Sequence, residues 1–193
     1  AACRSSRLAP LTRTLSPCTA ACTLSLPALS ACCTRRAVSA SMPLFTGTGR
    51  RFQLRGEVDG ISIFDDYAHH PTEIKATLAG ARARYPERRI WAVWQPHTYS
   101  RTQALYLEFS RAFKDADEVI VTEVYAAREP KQEFTSAEIV SGMPHPSARY
   151  LATLPQVTDY LLKNLHPNDV LIVLSAGDAD QICADVLKAL KER

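Results

Sequence analysis

Two hydrophobic periods alternate along residues 51–193. Residues 51–58 and 61–65 are short β-rich runs joined by Asp59-Gly60. Asp-Gly between such runs predicts a two-residue hairpin turn. After Pro71 the period lengthens. Ile74, Leu78, Ala81 and Tyr85 fall at i, i+4, i+7 and i+11, one face of a helix that Pro86 follows. Residues 90–94 are a continuous apolar run, as expected of a strand buried on both faces. Ser100-x-x-Gln103 has the spacing of a capping box, and Leu105, Phe109, Ala112 and Phe113 mark the inner face of the helix behind it. A third buried strand is expected over 119–124. A helix over 136–141, a short strand near 149–151, a helix over 154–165 and an apolar strand over 169–174 follow. Asp178-x-x-Gln181 predicts the cap of a last helix that turns Ile182, Val186, Leu187 and Leu190 inward.

Strands alternating with helices at this spacing predict parallel strands joined by crossover helices. The expected fold is α/β: a three-layer, Rossmann-like, mostly parallel sheet with an N-terminal β-hairpin. In such sheets ligands bind beyond the carboxyl ends of the strands. Chemistry is therefore expected at residues 65–71, 95–101, 123–128 and 175–178.

Charge divides the chain. Residues 1–56 hold eight Arg and no acid, and the first acidic residue is Glu57. Of the 23 Lys and Arg, 15 remain beyond that point against 20 Asp and Glu, a formal charge of −5. The net +3 of the whole chain thus belongs to its front. A mildly acidic body argues against nucleic acid as its partner, because phosphate neutralisation needs clustered cations. No apolar run is long enough to cross a bilayer. Five of the six cysteines also lie in front: Cys3, Cys18, Cys22, Cys32 and Cys33. Cys183 alone lies in the body, where it is expected to be a small buried apolar residue of a reduced, cytoplasmic protein.

Residues 1–44 carry no sustained period and no aromatic residue, and Pro10, Pro17, Pro27 and Pro43 interrupt them. Three readings stand: an acid-free, Arg/Ser-rich targeting peptide, a spurious out-of-frame segment, and a metal site. The last is disfavoured by cysteine spacings unlike a zinc knuckle and by the lack of any His before His69. Poor order is expected here on each reading. The domain proper is expected over 45–193.

Four stretches carry candidate chemistry. Asp65-Asp66-Tyr67-Ala68-His69-His70-Pro71 follows a strand and precedes a helix. It could be a turn with a helix cap, or a place where His holds an anion or orients a nucleophile. Gln95-Pro96-His97-Thr98-Tyr99-Ser100-Arg101-Thr102 joins another strand to another helix. A cation in a first helical turn opposes the helix dipole, so Arg101 is better understood facing an anionic ligand. Around Gly47 and Gly49, Arg50 and Arg51 stand at the mouth of the first strand, without the Gly-Lys-Ser/Thr ending of a phosphate loop. Ser175-Ala176-Gly177-Asp178 reads as a plain strand-to-helix turn whose backbone could approach a ligand. His145 and His166, beside prolines, are expected to be solvated.

Together, Gly-Arg-Arg-Phe, Asp-Asp-Tyr-Ala-His-His-Pro-Thr-Glu and Gln-Pro-His-Thr-Tyr-Ser-Arg-Thr resemble the C-terminal domain of the Mur ligase family, in its alanine-adding branch. The resemblance covers residues 45–193. It implies an ATP-dependent, amide-forming ligase of peptidoglycan precursor synthesis. In that branch ATP phosphorylates the lactyl carboxylate of UDP-N-acetylmuramate, and the amine of L-alanine attacks the acyl phosphate. By motif match, Tyr67, His69, His97 and Arg101 would hold the carboxylate, alanine and intermediate, with Tyr67, His69 and Arg101 taken as catalytic. Arg51, Asp66 and His70 would face the nucleotide. Thr98 stands where many relatives carry Arg, which leaves one anion contact open. The resemblance also implies a central ATP-binding domain, with the Mg²⁺ ligands, and an N-terminal UDP-binding domain, neither of which this chain contains. The chain is therefore expected to be a fragment, inactive alone. The alternative is a non-catalytic nucleotide- or partner-binding module that keeps the fold.

Overall fold

The hairpin comes first. In the computed structural model, which describes residues 49–193, β1 (Gln53–Val58) and β2 (Ile61–Asp66) pair antiparallel. Asp59 and Gly60 take φ of 51° and 76°. Two consecutive positive φ values are what a type I′ turn requires, and Asp-Gly supplies them at least strain. The expectations for residues 1–44, and for residues 45–48, lie outside the described residues.

β2 then leads through α1 (Pro71–Arg84) to β3 (Ile90–Trp94). The chain continues through α2 (Tyr99–Ala104) and α3 (Tyr106–Ser110) to β4 (Glu118–Val121), and through α4 (Ser136–Ser141) to β5 (Ala148–Tyr150). It returns by α5 (Leu154–Asn164) to β6 (Val170–Leu174) and ends in α6 (Gln181–Lys191). The strand order is β1-β2-β6-β3-β4-β5, and every pair except β1–β2 is parallel. The last strand thus inserts between β2 and β3, and the carboxyl ends of β2, β6, β3 and β4 lie side by side.

Period-two alternation in buried strands divides the core into two layers. Phe64, Ala92, Trp94, Ile172 and Leu174 pack with Ile74, Leu78 and Phe109 on one face. Ile63, Trp91, Val93, Leu171 and Val173 pack with Val157, Leu161, Ile182 and Val186 on the other. The three-layer expectation holds. Burying one such aliphatic or aromatic side chain stabilises by roughly 1.5–3 kcal/mol. The two filled faces therefore hold the sheet rigid beneath its loops. Cys183 is fully buried, as expected.

Four local readings need correction. The long helix expected after Ser100 is broken into α2 and α3 at Leu105, whose φ of −112° is not helical. Ser100 and Gln103 form no capping box. Thr98 is the N-cap residue and makes no side-chain cap bond. The Ser100 N–H and hydroxyl instead donate to the Glu129 carboxylate, and the Gln103 amide meets Gln132. Asp178 does not cap α6, whose N-cap residue is Asp180; it accepts from Gln95 Nε2 at 2.8 Å. For both misassigned caps a residue distant in sequence supplied the partner that local spacing had assigned nearby. His145 is not simply solvated either, since its Nε2 lies 3.1 Å from the Ala116 carbonyl oxygen.

Candidate active site on the carboxyl rim

The loop after β2 is built around two buried carboxylates. Asp65 and Asp66 are adjacent, so they point to opposite faces of the strand. Asp65, fully buried, meets Arg50, whose Nε donates to Oδ2 at 3.0 Å. Burial pushes the Asp65 carboxyl upward, against the pull of the Arg50 guanidinium. The same guanidinium donates to the Ser175 carbonyl at 2.9 Å and so joins the ends of β2 and β6. Asp66 accepts from the N–H groups of Phe52 at 2.7 Å and Ala68 at 2.8 Å, and from the Thr77 hydroxyl at 3.3 Å. Its two oxygens are engaged in shaping the loop.

Tyr67 is exposed at the top of this loop. The Arg50 and Arg51 guanidinium carbons lie 5.4 and 5.9 Å from its ring centre, within cation–π range. Arg51 also lies 3.7 Å from Glu73. His70 is the N-cap of α1. Its Nδ1 accepts from Thr72 N–H, and Glu73 returns the bond to the N-cap backbone, a complete capping box. Both readings of His70 as a cap and as a functional group began from this position, and the cap is present. Glu73 also accepts from His69 N–H at 3.0 Å. Burial alone would raise the Glu73 carboxyl, but these N–H groups and the charges of His69 and Arg51 hold it below its ordinary value.

The loop after β3 rises beside the first. Gln95 is buried and ties the end of β3 to the turn after β6: its Oε1 accepts from the Ser175 hydroxyl at 2.8 Å and from Ala179 N–H at 3.2 Å, while Nε2 donates to Asp178. Thr98 has φ of 67° and ψ of 140°, a region a β-branched residue occupies only under constraint. The constraint is visible. Its N–H donates to the Tyr125 carbonyl at 2.9 Å, and its own carbonyl accepts from the Thr102 hydroxyl at 2.6 Å. This turn starts α2 and carries Arg101 in the first turn, as expected.

The two loops meet. Four rings form a row along the rim: Tyr67 to His69 at 5.2 Å, His69 to His97 at 6.2 Å and His97 to Tyr125 at 5.7 Å between centres. The His97 imidazole is held below its ordinary pKa by burial first, then by the neighbouring charges of Arg101 and His69. Tyr67, His69, His97 and Arg101 therefore share one edge of the sheet. With Arg50 and Arg51 over Tyr67 and the Arg101 charge felt at His97, the row suits an anionic reactant. Among the described residues no group of three His, Cys, Asp or Glu converges to hold a metal ion.

Reading the sequence alone missed Arg50, Gln95, Tyr125 and Glu129. Arg50 and Gln95 stood within quoted motifs but were given no role. Tyr125 fell within a predicted rim stretch, 123–128, where position was the only signal. Glu129 had none.

Residues 50–177 match the family model for the Mur ligase, glutamate ligase domain. The chain is 47% identical over 152 residues to the UDP-N-acetylmuramate–L-alanine ligase of Trichormus variabilis, covering 77% of this chain and 31% of that one. It is 42% identical over 158 residues to the ligase of the same name from Alkaliphilus metalliredigens, covering 80% and 34%. The chain thus spans about a third of the length of the curated relatives it matches. Among solved structures, a murein peptide ligase from Psychrobacter arcticus is 26% identical with a TM-score of 0.65, over 80% of this chain and 32% of that one. A crystallised domain of a ligase from Haemophilus ducreyi is 28% identical with a TM-score of 0.58, over 72% of this chain and 99% of that one. The described fold and the motifs on its rim agree with these likenesses, and the chain belongs to the Mur ligase family through its glutamate ligase domain.

Proposed function

We propose that residues 49–193 act as the carboxyl-terminal domain of an ATP-dependent ligase that joins L-alanine to UDP-N-acetylmuramate. The observation that carries this reading is the convergence of the two motif loops, with His69 and His97 6.2 Å apart and Arg101 beside His97. Relatives named for this reaction share the domain at 42% and 47% identity.

In the reaction, a carboxylate oxygen of the nucleotide sugar attacks the γ-phosphorus of ATP and ADP leaves. The alanine nitrogen then attacks the acyl carbon, phosphate leaves, and the amine gives up a proton. Negative charge grows on phosphoryl and acyl oxygens in turn, so fixed donors and cations do most of the work. Tyr67, His69, His97 and Arg101 would hold the carboxylate, the alanine and the acyl phosphate. His97, kept neutral by its surroundings, could donate or accept a single hydrogen bond there. Arg51 and the exposed side of His70 would face the nucleotide. Asp66 fits that role less directly, because its oxygens already hold the loop. Mg²⁺, which would offset phosphate charge, finds no cluster of ligands among the described residues. Its ligands, the ATP phosphate site and the UDP site would come from the central and N-terminal domains of the whole ligase. No described helix is long and apolar enough to cross a membrane.

The test is a chimera in which residues 49–193 replace the matching third of the Trichormus variabilis ligase. Phosphate release should require ATP, UDP-N-acetylmuramate and L-alanine together. Arg101→Ala should lower kcat/KM by about 100-fold. The 193-residue chain by itself should show no turnover. A folded chimera without alanine-dependent phosphate release, or one indifferent to Arg101→Ala, would refute the proposal.

A further inference from the structure

The two rim imidazoles are held in different ways. His69 Nδ1 lies 2.9 Å from the Tyr67 carbonyl oxygen and 3.6 Å from the Glu73 carboxylate. A histidine engaged at one nitrogen has its ring plane and tautomer set by that bond. His97 has no such anchor, because its Nδ1 is buried without a hydrogen-bond partner. Something other than a hydrogen bond must orient this ring.

Tyr125 meets it. The two rings stack at 5.7 Å with 25° between their planes. Tyr125 is itself fixed on both sides of His97: its N–H donates to the Pro96 carbonyl at 2.8 Å, and its carbonyl accepts from Thr98 N–H at 2.9 Å. Gly177 adjoins the tyrosine ring. A methyl group built there would lie 2.8 Å from Tyr125 Cγ and 2.4 Å from Gln95 Oε1. Gly177 has no left-handed φ, so its backbone does not demand glycine; the space beside Tyr125 and Gln95 does.

We infer that Tyr125 is a positioning residue for His97, its ring fixed beside Gly177 so that the imidazole keeps one orientation on the rim. The catalytic meaning rests on the ligase reading above, whereas the packing does not. A stacked ring also shields the imidazole from water, in line with the depressed proton affinity of His97. The charged or titratable groups that bear on His97 are Arg101 from α2, His69 from the loop after β2 and Glu129 from the loop after β4, the last favouring the protonated form.

The experiment is a proton NMR titration of the histidines in the full 193-residue chain, with His97→Ala to assign the resonance. Tyr125→Ala should shift the His97 resonance and move its titration upward, toward the ordinary imidazole value. Tyr125→Phe, which keeps the ring, should restore the original curve. Tyr125→Leu serves in place of the alanine variant should that one fail to fold, since it keeps bulk without a ring face. Gly177→Ala should disturb the same resonance. A His97 titration identical in the wild-type and Tyr125→Ala (or Leu) chains overturns the inference. In the chimeric ligase, Tyr125→Ala should lower kcat about tenfold with KM for ATP unchanged; a loss confined to KM for ATP also overturns it. Full activity of the His97→Ala chimera would instead remove the ligase role of His97, while the titration still decides what Tyr125 does.

Discussion

The loops after β2 and β3 lie side by side on one rim, yet they are assembled differently. The first is largely held by its own neighbours: Asp66 binds Ala68, His70 binds Thr72, and Glu73 binds His69 and His70. The second is held from far along the chain. Ser100 is bound by Glu129, His97 is stacked on Tyr125, and Gln95 is bound by Ser175, Asp178 and Ala179, more than 79 residues away. The first loop takes most of its shape once β2 meets α1 and the Arg50–Phe52 segment, which binds Tyr67 N–H and Asp66. The second needs β4 beside β3 and the late insertion of β6. A site built from both becomes complete only when the sheet is.

The comparison can be broken at each loop. Asp66→Ala removes a buried carboxylate that serves the Phe52 and Ala68 N–H groups and the Thr77 hydroxyl. Two backbone donors are left without their acceptor, which should cost about 3 kcal/mol. Urea unfolding measures this directly, and a loss under about 1 kcal/mol would show that water replaces the carboxylate. Ser175→Ala should cost less, about 1.5 kcal/mol. Its hydroxyl donates to Gln95 Oε1 and accepts from Gly177 N–H, but Gln95 keeps Ala179 and Asp178. If the second loop truly depends on β6, the His97 NMR resonance should move in Ser175→Ala and stay in place in a surface variant of equal stability.

The same division explains what could be read from the sequence. The hairpin, the α/β alternation and the rim positions were legible, because periodicity and an Asp-Gly turn are local signals. A helix cap within 65–71 was legible for the same reason, although the pairing of His70 with Glu73 that makes it was not. The capping box assigned to Ser100 and Gln103 failed because Glu129 competes for the same N–H, and nothing near Ser100 announces it. Asp178 failed likewise to Gln95. Arg50 spans β2 and β6, and that junction exists only in the strand order, which no local pattern encodes. The motif resemblance reached further than periodicity because it carries long-range pairings that a single sequence does not display.

Thr98 sharpens the contrast with a change of opposite sign. Its positive φ is imposed by the Tyr125 bridge, at a strain of roughly 1–3 kcal/mol for a β-branched residue. Thr98→Gly relieves this but gives the unfolded chain more freedom, an opposing effect of about 1 kcal/mol. A net stabilisation of about 1 kcal/mol should follow, read as a higher melting temperature. A lower one would mean that the Thr98 side chain makes up for its own backbone.

The smallest effect belongs to the charge on Glu73, and its sign is fixed by the geometry. The folded state holds this carboxyl below its ordinary value, so the fold prefers the carboxylate more than the unfolded chain does. That preference is fully present above the unfolded pKa and disappears as pH falls through the folded one. Glu73→Gln keeps an acceptor for the His69 and His70 N–H groups but loses the charge facing His69 and Arg51. The variant should therefore melt slightly below the wild type at neutral pH, and the gap should close as acid protonates the wild-type carboxyl. Solvent reaches this side chain, so salt should also shrink the gap. A gap that widens in acid would mean that hydrogen-bond geometry rather than charge holds the first loop, and the electrostatic half of the comparison between the loops would fall.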